Sequence, residues 1–267
     1  MDEKIQKFLA NYGLASRREI ERWIEAGRIT VNGQPAKIGV RVTASDAIEV
    51  DGKPVQTPEL AATPRVLAYS KPVDEVCTRH DPEGRPTVFE RLPRLSGERW
   101  IMVGRLDINS SGLLLFTNFG ELAHRLMHPR YEIEREYAVR VLGSVSEATL
   151  AQLQKGVELD DGSAKFVTIC DAGGTGANHW YHVALKEGRN REVRRMWEAV
   201  GHTVSRLHRI RFGPVHLPRS IKPGHYKELD PGTMDLLLKE VGLQKGSALQ
   251  RPAHRRGKQN KRRHKHQ

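Results

Sequence analysis

The chain has 267 residues, with 44 Lys and Arg against 32 Asp and Glu, for a formal net charge of +12. That length makes one large or two smaller domains with a sizeable core, and no run approaches the ~20 apolar residues of a membrane-spanning helix. Cys77 and Cys170 stand far apart and outside any C-x-x-C. This excludes a disulfide scaffold and a cysteine zinc site, and with the charged start Met1-Asp2-Glu3-Lys4 it points to a reducing cytoplasm without a secretory signal.

Residues 1–56 read as a small α/β module. Ile5, Phe8, Leu9 and Tyr12 share one helix face, and Gly13 ends it. Ser16-Arg17-Arg18-Glu19 has capping-box spacing and opens a second helix with Ile20, Trp23 and Ile24 on its inner stripe. A strand over 29–31 runs into Asn32-Gly33, a strong hairpin signal, and strands are expected over 36–42 and 48–50. Arg17, Arg18, Arg22, Arg28, Lys37 and Arg41 make the outer face basic. An ordinary solvated face has the same look, but Arg17 and Arg18 stand at a helix N-terminus, where the dipole favours acids. Phosphate is therefore their expected neighbour. The order of helix, S-R-R-E helix and V-N-G hairpin resembles the αL RNA-binding motif of small-subunit ribosomal protein four.

Residues 57–64 read as a linker, and 65–240 as a larger domain. Strands are expected over 66–69, 100–103, 113–116, 137–141, 166–170, 180–185 and 204–210. Helices are expected over 121–127, 147–155, 190–200 and 233–240. This alternation indicates an α+β fold with a mixed sheet. The last stretch, 241–267, reads as a basic disordered tail. Nine Lys and Arg and no acid lie over 245–267, so nine of the twelve net positive charges sit there. Such a segment cannot bury enough apolar surface to fold alone, and it suits a polyanion.

Three segments of the larger domain could carry chemistry. The first, GRLDINSSGLLLFT over 104–117, puts Asp107 on a tight polar connection between two apolar strands; an Asx turn would need the same residue. The second is EGRNREVRRMWEAVG over 187–201. Val193, Met196, Trp197 and Val200 form an apolar stripe with Arg194 at its edge, while Arg191 and Arg195 point away. A buried guanidinium needs a carboxylate partner, which would make Arg194 the ion-pair partner of an active-site acid, although an arginine can also snorkel along a core edge. The third is EREYAVRV over 134–141, where alternation puts Tyr137, Val139 and Val141 on one face. Tyr137 is then either core or a flat ring for a base.

These three stretches, in this order behind an αL motif, resemble the ribosomal RNA pseudouridine synthases of the small-subunit-A/large-subunit-B group. DPEGRPTVF over 81–89 and GELAHRLMHP over 120–129 support the likeness, which runs from about residue 4 to 230. Ser110 stands where the family more often has Thr. The resemblance implies that Asp107 is the catalytic aspartate, that Tyr137 packs against the target uracil, and that Arg194 pairs with the aspartate. It further implies that Arg105 fills the gap left by an extruded base, and that Arg85 and Lys71 contact phosphate or base. Arg17, Arg18, Arg22 and Arg191 join them as RNA contacts. The implied reaction is isomerisation of a uridine in large-subunit ribosomal RNA by a monomeric cytoplasmic enzyme, with no cofactor, metal or membrane partner. The alternatives are a ribosome-assembly factor that binds this RNA without chemistry, and a synthase acting on small-subunit or transfer RNA.

The remaining signals read as structure. The glycine-rich run over 171–176 is followed by a strand pattern and so reads as a hairpin loop rather than a phosphate loop. Met127, Met196, Trp197 and both cysteines read as buried.

Overall fold

The computed structural model describes residues 2–11, 14–43, 45–55, 64–95, 99–175 and 177–243. Most of the expected linker and tail, 57–63 and 244–267, lie outside the described residues.

The first module runs through β1 (Glu3–Lys4), α1 (Ile5–Asn11), α2 (Arg17–Glu25), β2 (Ile29–Val31), β3 (Gln34–Pro35), β4 (Arg41–Val42), β5 (Ile48–Val50) and β6 (Lys53–Pro54). The Ser16 hydroxyl accepts the Glu19 N–H at 3.1 Å and caps α2. Such a cap contributes about 1 kcal/mol. Asn32 and Gly33 take φ of 50° and 77°, the left-handed pair that a two-residue hairpin needs. Ile5, Leu9, Ile20, Ile24, Ile29, Val42 and Ile48 pack into one core. The strand expected over 36–42 is shorter, because the Val40 N–H turns back to the Lys37 carbonyl and leaves only β3 and β4 extended.

The larger domain continues with β7 (Val66–Lys71), β8 (Ile101–Val103), β9 (Ser111–Thr117), α3 (Gly120–Met127), β10 (Arg135–Leu142), α4 (Glu147–Lys155), β11 (Val157–Leu159), β12 (Gly162–Ala164), β13 (Thr168–Thr175), β14 (Asn178–Leu185), α5 (Glu192–Ala199), β15 (Val204–Phe212), β16 (Val215–His216), β17 (Tyr226–Glu228) and α6 (Pro231–Glu240). The main sheet is ordered β13-β14-β10-β15-β9-β7-β17, with β8 on β9 and β16 on β15. It is mixed, as expected: β15 runs parallel to β9, whereas β10 is antiparallel to both of its neighbours. The glycine-rich run belongs to the β13–β14 hairpin, as read from sequence.

Alternation decides what each strand buries. Tyr137, Val139 and Val141 of β10 join Leu153 of α4 and Val193, Met196 and Trp197 of α5. Val66, Ala68, Leu113 and Leu115 face α3 and α6. Leu67, Tyr69, Leu114 and Phe116 face Val88 and Trp100 instead. Cys77 touches both the first and the third of these clusters and lines a cleft.

Four readings are corrected. Cys170 is exposed, since the edge strand β13 turns it outward. Met127 is 40% exposed at the end of α3. The helix expected from 190 starts at Glu192, because Arg191 takes φ of 48°. Residues 241–243 belong to the fold rather than to the tail: Val241 is buried, and the Leu243 N–H bonds the Leu238 carbonyl.

Candidate active site

The cleft has a volume of about 940 Å³, at the upper end of small-ligand pockets, which span ~300–1,000 Å³. It has room for an extruded nucleotide. Its lining comes from the connection between β8 and β9, from β10, β14 and β15, from the residues ahead of α5, and from 76–85.

Asp107 lies half-buried on the β8–β9 connection, where its carbonyl accepts the Ser110 N–H at 3.0 Å in a tight turn. Its carboxylate lines the cleft and accepts no hydrogen bond among the described residues. Tyr137 is 8% exposed and also lines the cleft, packed in the cluster that contains Leu106. Arg105, Arg85 and Arg191 complete the candidates that the structure brings together there. Arg105 is exposed and has no ion pair or hydrogen bond among the described residues. The charge of Arg85 is offset: it reaches Asp81 at 2.8 Å and Glu83 at 3.0 Å. The Arg85 side chain, and then its own backbone N–H, hold the Asp81 carboxyl down to about 2. Arg191 is exposed at the start of α5 and lies 3.7 Å from Glu198.

Two expected contacts are corrected. Lys71 does not line the cleft. It is 1% exposed, behind the Asp107 turn, and its ammonium donates to the carbonyls of Pro72 at 2.9 Å, Ser110 at 2.9 Å and Asp107 at 3.2 Å. Burial pulls its pKa down. Arg194 is buried, as its place on the stripe suggested, but it forms no ion pair with Asp107 within 4.0 Å. It donates to the Val204 carbonyl at 2.8 Å and to the Asn109 carbonyl at 3.0 Å, so it grips the same turn by its backbone. Burial lowers its pKa, and the neighbouring Arg191 charge lowers it further, while the Asp107 field acts in the opposite direction. Arg17, Arg18 and Arg22 are exposed on α2 and do not line the cleft; Arg22 pairs with Glu19 at 2.8 Å.

Sequence reading missed three buried charges in the lining: Arg135, Glu192 and Arg209. Arg135 and Arg209 each stand at a cleft-facing strand position, in phase with Tyr137 and Leu207 respectively. An arginine in phase with inward apolar residues was the available signal. Glu192 pairs with Arg189 at 3.1 Å, and burial raises its pKa. The Cys77 thiol accepts the Leu106 N–H at 3.4 Å, and burial pushes its pKa up, which favours an inert thiol.

Comparison with known proteins shows the family. A family model described as RNA pseudouridylate synthase matches residues 65–199, and one for the S4 domain matches residues 3–48. The chain is 59% identical over 243 residues to the ribosomal large subunit pseudouridine synthase B of Pseudomonas aeruginosa, which covers 90% of this chain and 63% of that protein. The chain thus spans under two thirds of that relative's length. The protein of the same name from Escherichia coli K12 is 58% identical over 246 residues, covering 91% of this chain and 84% of that one. A crystal structure of a pseudouridylate synthase superposes with a TM-score of 0.62 at 25% identity, covering 88% of this chain and 99% of that one. With the synthase match over half of its length, relatives this similar and the same fold, the chain belongs to the RNA pseudouridylate synthase family and carries an S4 domain ahead of the synthase domain.

Proposed function

We propose that this chain isomerises a uridine of large-subunit ribosomal RNA to pseudouridine. The observation that carries the reading is the convergence of Asp107 and Tyr137 in one nucleotide-sized cleft walled by arginines. The names of the two relatives supply the substrate class. Isomerisation breaks the C1′–N1 bond, turns the uracil and rejoins it through C5. An ionised carboxylate beside the sugar serves as charge stabiliser, nucleophile or base, and Asp107 is the carboxylate offered. Tyr137 gives the detached base a floor. Arg194 and Lys71 act as positioning residues, since both hold the Asp107 turn by its carbonyls. Arg105, exposed at the mouth, is placed to fill the stack that the base leaves, an extrusion that costs a few kcal/mol. Arg85 and Arg191, with Arg17, Arg18 and Arg22 on the S4 domain, contact the RNA around the target. Nothing is oxidised and no group enters, so these side chains suffice for the chemistry. No helix among the described residues is long and apolar enough to cross a membrane. We further take the enzyme to be a monomer acting in the cytoplasm, the location that fits the ribosomal large subunit in its relatives' names.

The test is pseudouridine mapping of protein-free ribosomal RNA after incubation with the purified chain. The wild type is expected to modify large-subunit RNA, and Asp107→Asn to bind the RNA within about threefold while forming no product, as expected when a reacting group is removed from an intact site. Binding without product by the wild type would favour an assembly factor. Product only on small-subunit or transfer RNA would reassign the substrate.

A further inference from the structure

The cleft region holds more buried positive charge than the roles above use. Lys71, Arg135, Arg194 and Arg209 are 1%, 9%, 5% and 3% exposed, and among the described residues none of them forms an ion pair. The nearby buried acids are engaged elsewhere, Glu75 with Arg91 and Glu192 with Arg189. Three of the four cations spend their terminal donors on main-chain carbonyls: Lys71 on the Asp107 turn, Arg194 on that turn and on Val204, with only its Nε left without an acceptor, and Arg135 on Ile133 and Lys186.

Arg209 is different. Its Nε donates to the Leu113 carbonyl at 2.7 Å, which fixes the guanidinium. Neither terminal nitrogen has an acceptor among the described residues, and Nη2 is fully buried. The group lies 5.3 Å from the Phe212 ring centroid, so one of its faces is packed. In the β10–β15 register, Arg209 stands directly opposite Tyr137, and both residues line the cleft. Burying donors without acceptors is unfavourable, and more so when they are charged. A fold carries that cost most readily where a bound group supplies the acceptor.

We propose that Arg209 is a catalytic residue: its Nη1, the terminal nitrogen that is not fully buried, donates to a carbonyl oxygen of the target uracil, and the guanidinium stabilises the negative charge that develops on the ring as it leaves the sugar. The inference rests on the isomerisation proposed above. When C1′–N1 breaks, the bonding pair stays with the ring and spreads over N1, O2 and O4. After the ring turns, an electron pair from C5 forms the new bond to C1′. C5 then loses its proton and N1 gains one, so the product is an isomer of the substrate. Between the two bonds the free ring is an anion. Fixed donors in a water-poor wall oppose that charge without having to reorganise. A base resting on Tyr137 brings its edge over the neighbouring strand, where Arg209 stands. A backbone phosphate belongs instead at the mouth, where Arg105 and Arg191 are exposed.

The experiment measures single-turnover release of tritium from large-subunit ribosomal RNA carrying tritium at uridine C5, using the full chain. Arg209→Gln is expected to bind RNA within about threefold of wild type yet react ~100-fold or more slowly at saturating RNA, the usual loss for one such donor. Arg209→Lys keeps the charge without the planar fork and is expected to fall in between, ~10-fold slow. A merely structural role would lower thermal stability without this separation of rate from binding. If Arg209→Gln does not fold, Arg209→Lys carries the test. Wild-type rates in either variant would overturn the inference. So would a variant whose only defect is weaker RNA binding, since that is the behaviour of a phosphate contact. A wild-type chain that releases no tritium overturns the proposed function and this inference together, whereas an active wild type with an equally active variant overturns this inference alone.

Discussion

Lys71 shows what one buried charge can do without touching a substrate. An ammonium has three donors and needs three acceptors, and the carbonyls of Pro72, Ser110 and Asp107 supply them at 2.9, 2.9 and 3.2 Å. Two of these lie in the turn that aims Asp107, so the side chain ties the end of β7 to the β8–β9 connection. Lys71→Met would leave these carbonyls without their donor. With charged hydrogen bonds worth ~1.5–3 kcal/mol each and not additive, the expected loss is on the order of 3 kcal/mol, read as a lower urea midpoint at unchanged slope. Pseudouridine formation should fall with it, because the Asp107 turn loses its support. A variant as stable and as active as wild type would show that the turn holds itself. Arg194 works in the same way from the other side, through the Asn109 carbonyl. Its burial was legible, because 3.6-residue periodicity places position 194 at the edge of the Val193–Met196–Trp197 stripe. Its partner was not. Periodicity gives the direction of a side chain but not which atom of a distant loop it meets, and the rule that a buried guanidinium seeks a carboxylate, which the resemblance seconded, overlooked main-chain carbonyls as acceptors.

At the scale of elements, the site depends on the parallel contact between β9 and β15. His208 pairs with Ser111 and Arg209 with Gly112. Gly112 takes φ of 104°, and a Cβ there would overlap the Arg209 backbone carbonyl and amide. This glycine is needed twice, for its torsion and for the closeness of the two backbones. Gly112→Ala must push β15 away from β9, carrying Arg209 and the end of the Asp107 turn with it. The expected cost is about 2–4 kcal/mol, with activity lost at temperatures where circular dichroism still shows a folded chain. Full activity in a folded Gly112→Ala variant would mean that the two strands tolerate separation. Sequence found both strands but could not pair them. Alternation says which residues face inward, whereas two strands about 95 residues apart declare their partnership only in three dimensions. The local signals fared better, as the Ser16 cap and the Asn32-Gly33 turn show, each being settled within four residues. The β11–β12 hairpin escaped because strands of three residues are too short to show a period. It nevertheless matters, since its Asp161 holds Arg189 at 3.1 Å and Arg195 at 2.8 Å and so braces the segment that carries Arg191 to the cleft.

At the scale of the whole chain, charge and chemistry are segregated. Every residue lining the cleft lies between 76 and 212, whereas nine of the twelve net positive charges lie over 245–267. The expected division of labour is that the cleft selects and converts its uridine while the distal segment adds long-range attraction to RNA. Each phosphate neutralised releases counterions and adds ~0.7–0.9 to the slope of log affinity against log salt. If four of the nine cations meet phosphates, deleting 245–267 should flatten that slope by about 3. The deletion keeps Val241 and Leu243, which pack against the α3–α6 side of the sheet, so the fold should survive it. Affinity for ribosomal RNA should then fall steeply at ~50 mM salt and much less at ~200 mM, because the lost term is the screened one. The rate at saturating RNA should not change, since no group in the deleted segment is needed to break or form the glycosidic bond. A salt titration of both forms, paired with single-turnover rates, separates the two contributions. An equal slope would assign RNA attraction to the folded domains alone, and a slower saturated rate would mean that the basic segment acts on the bound target rather than only bringing it in.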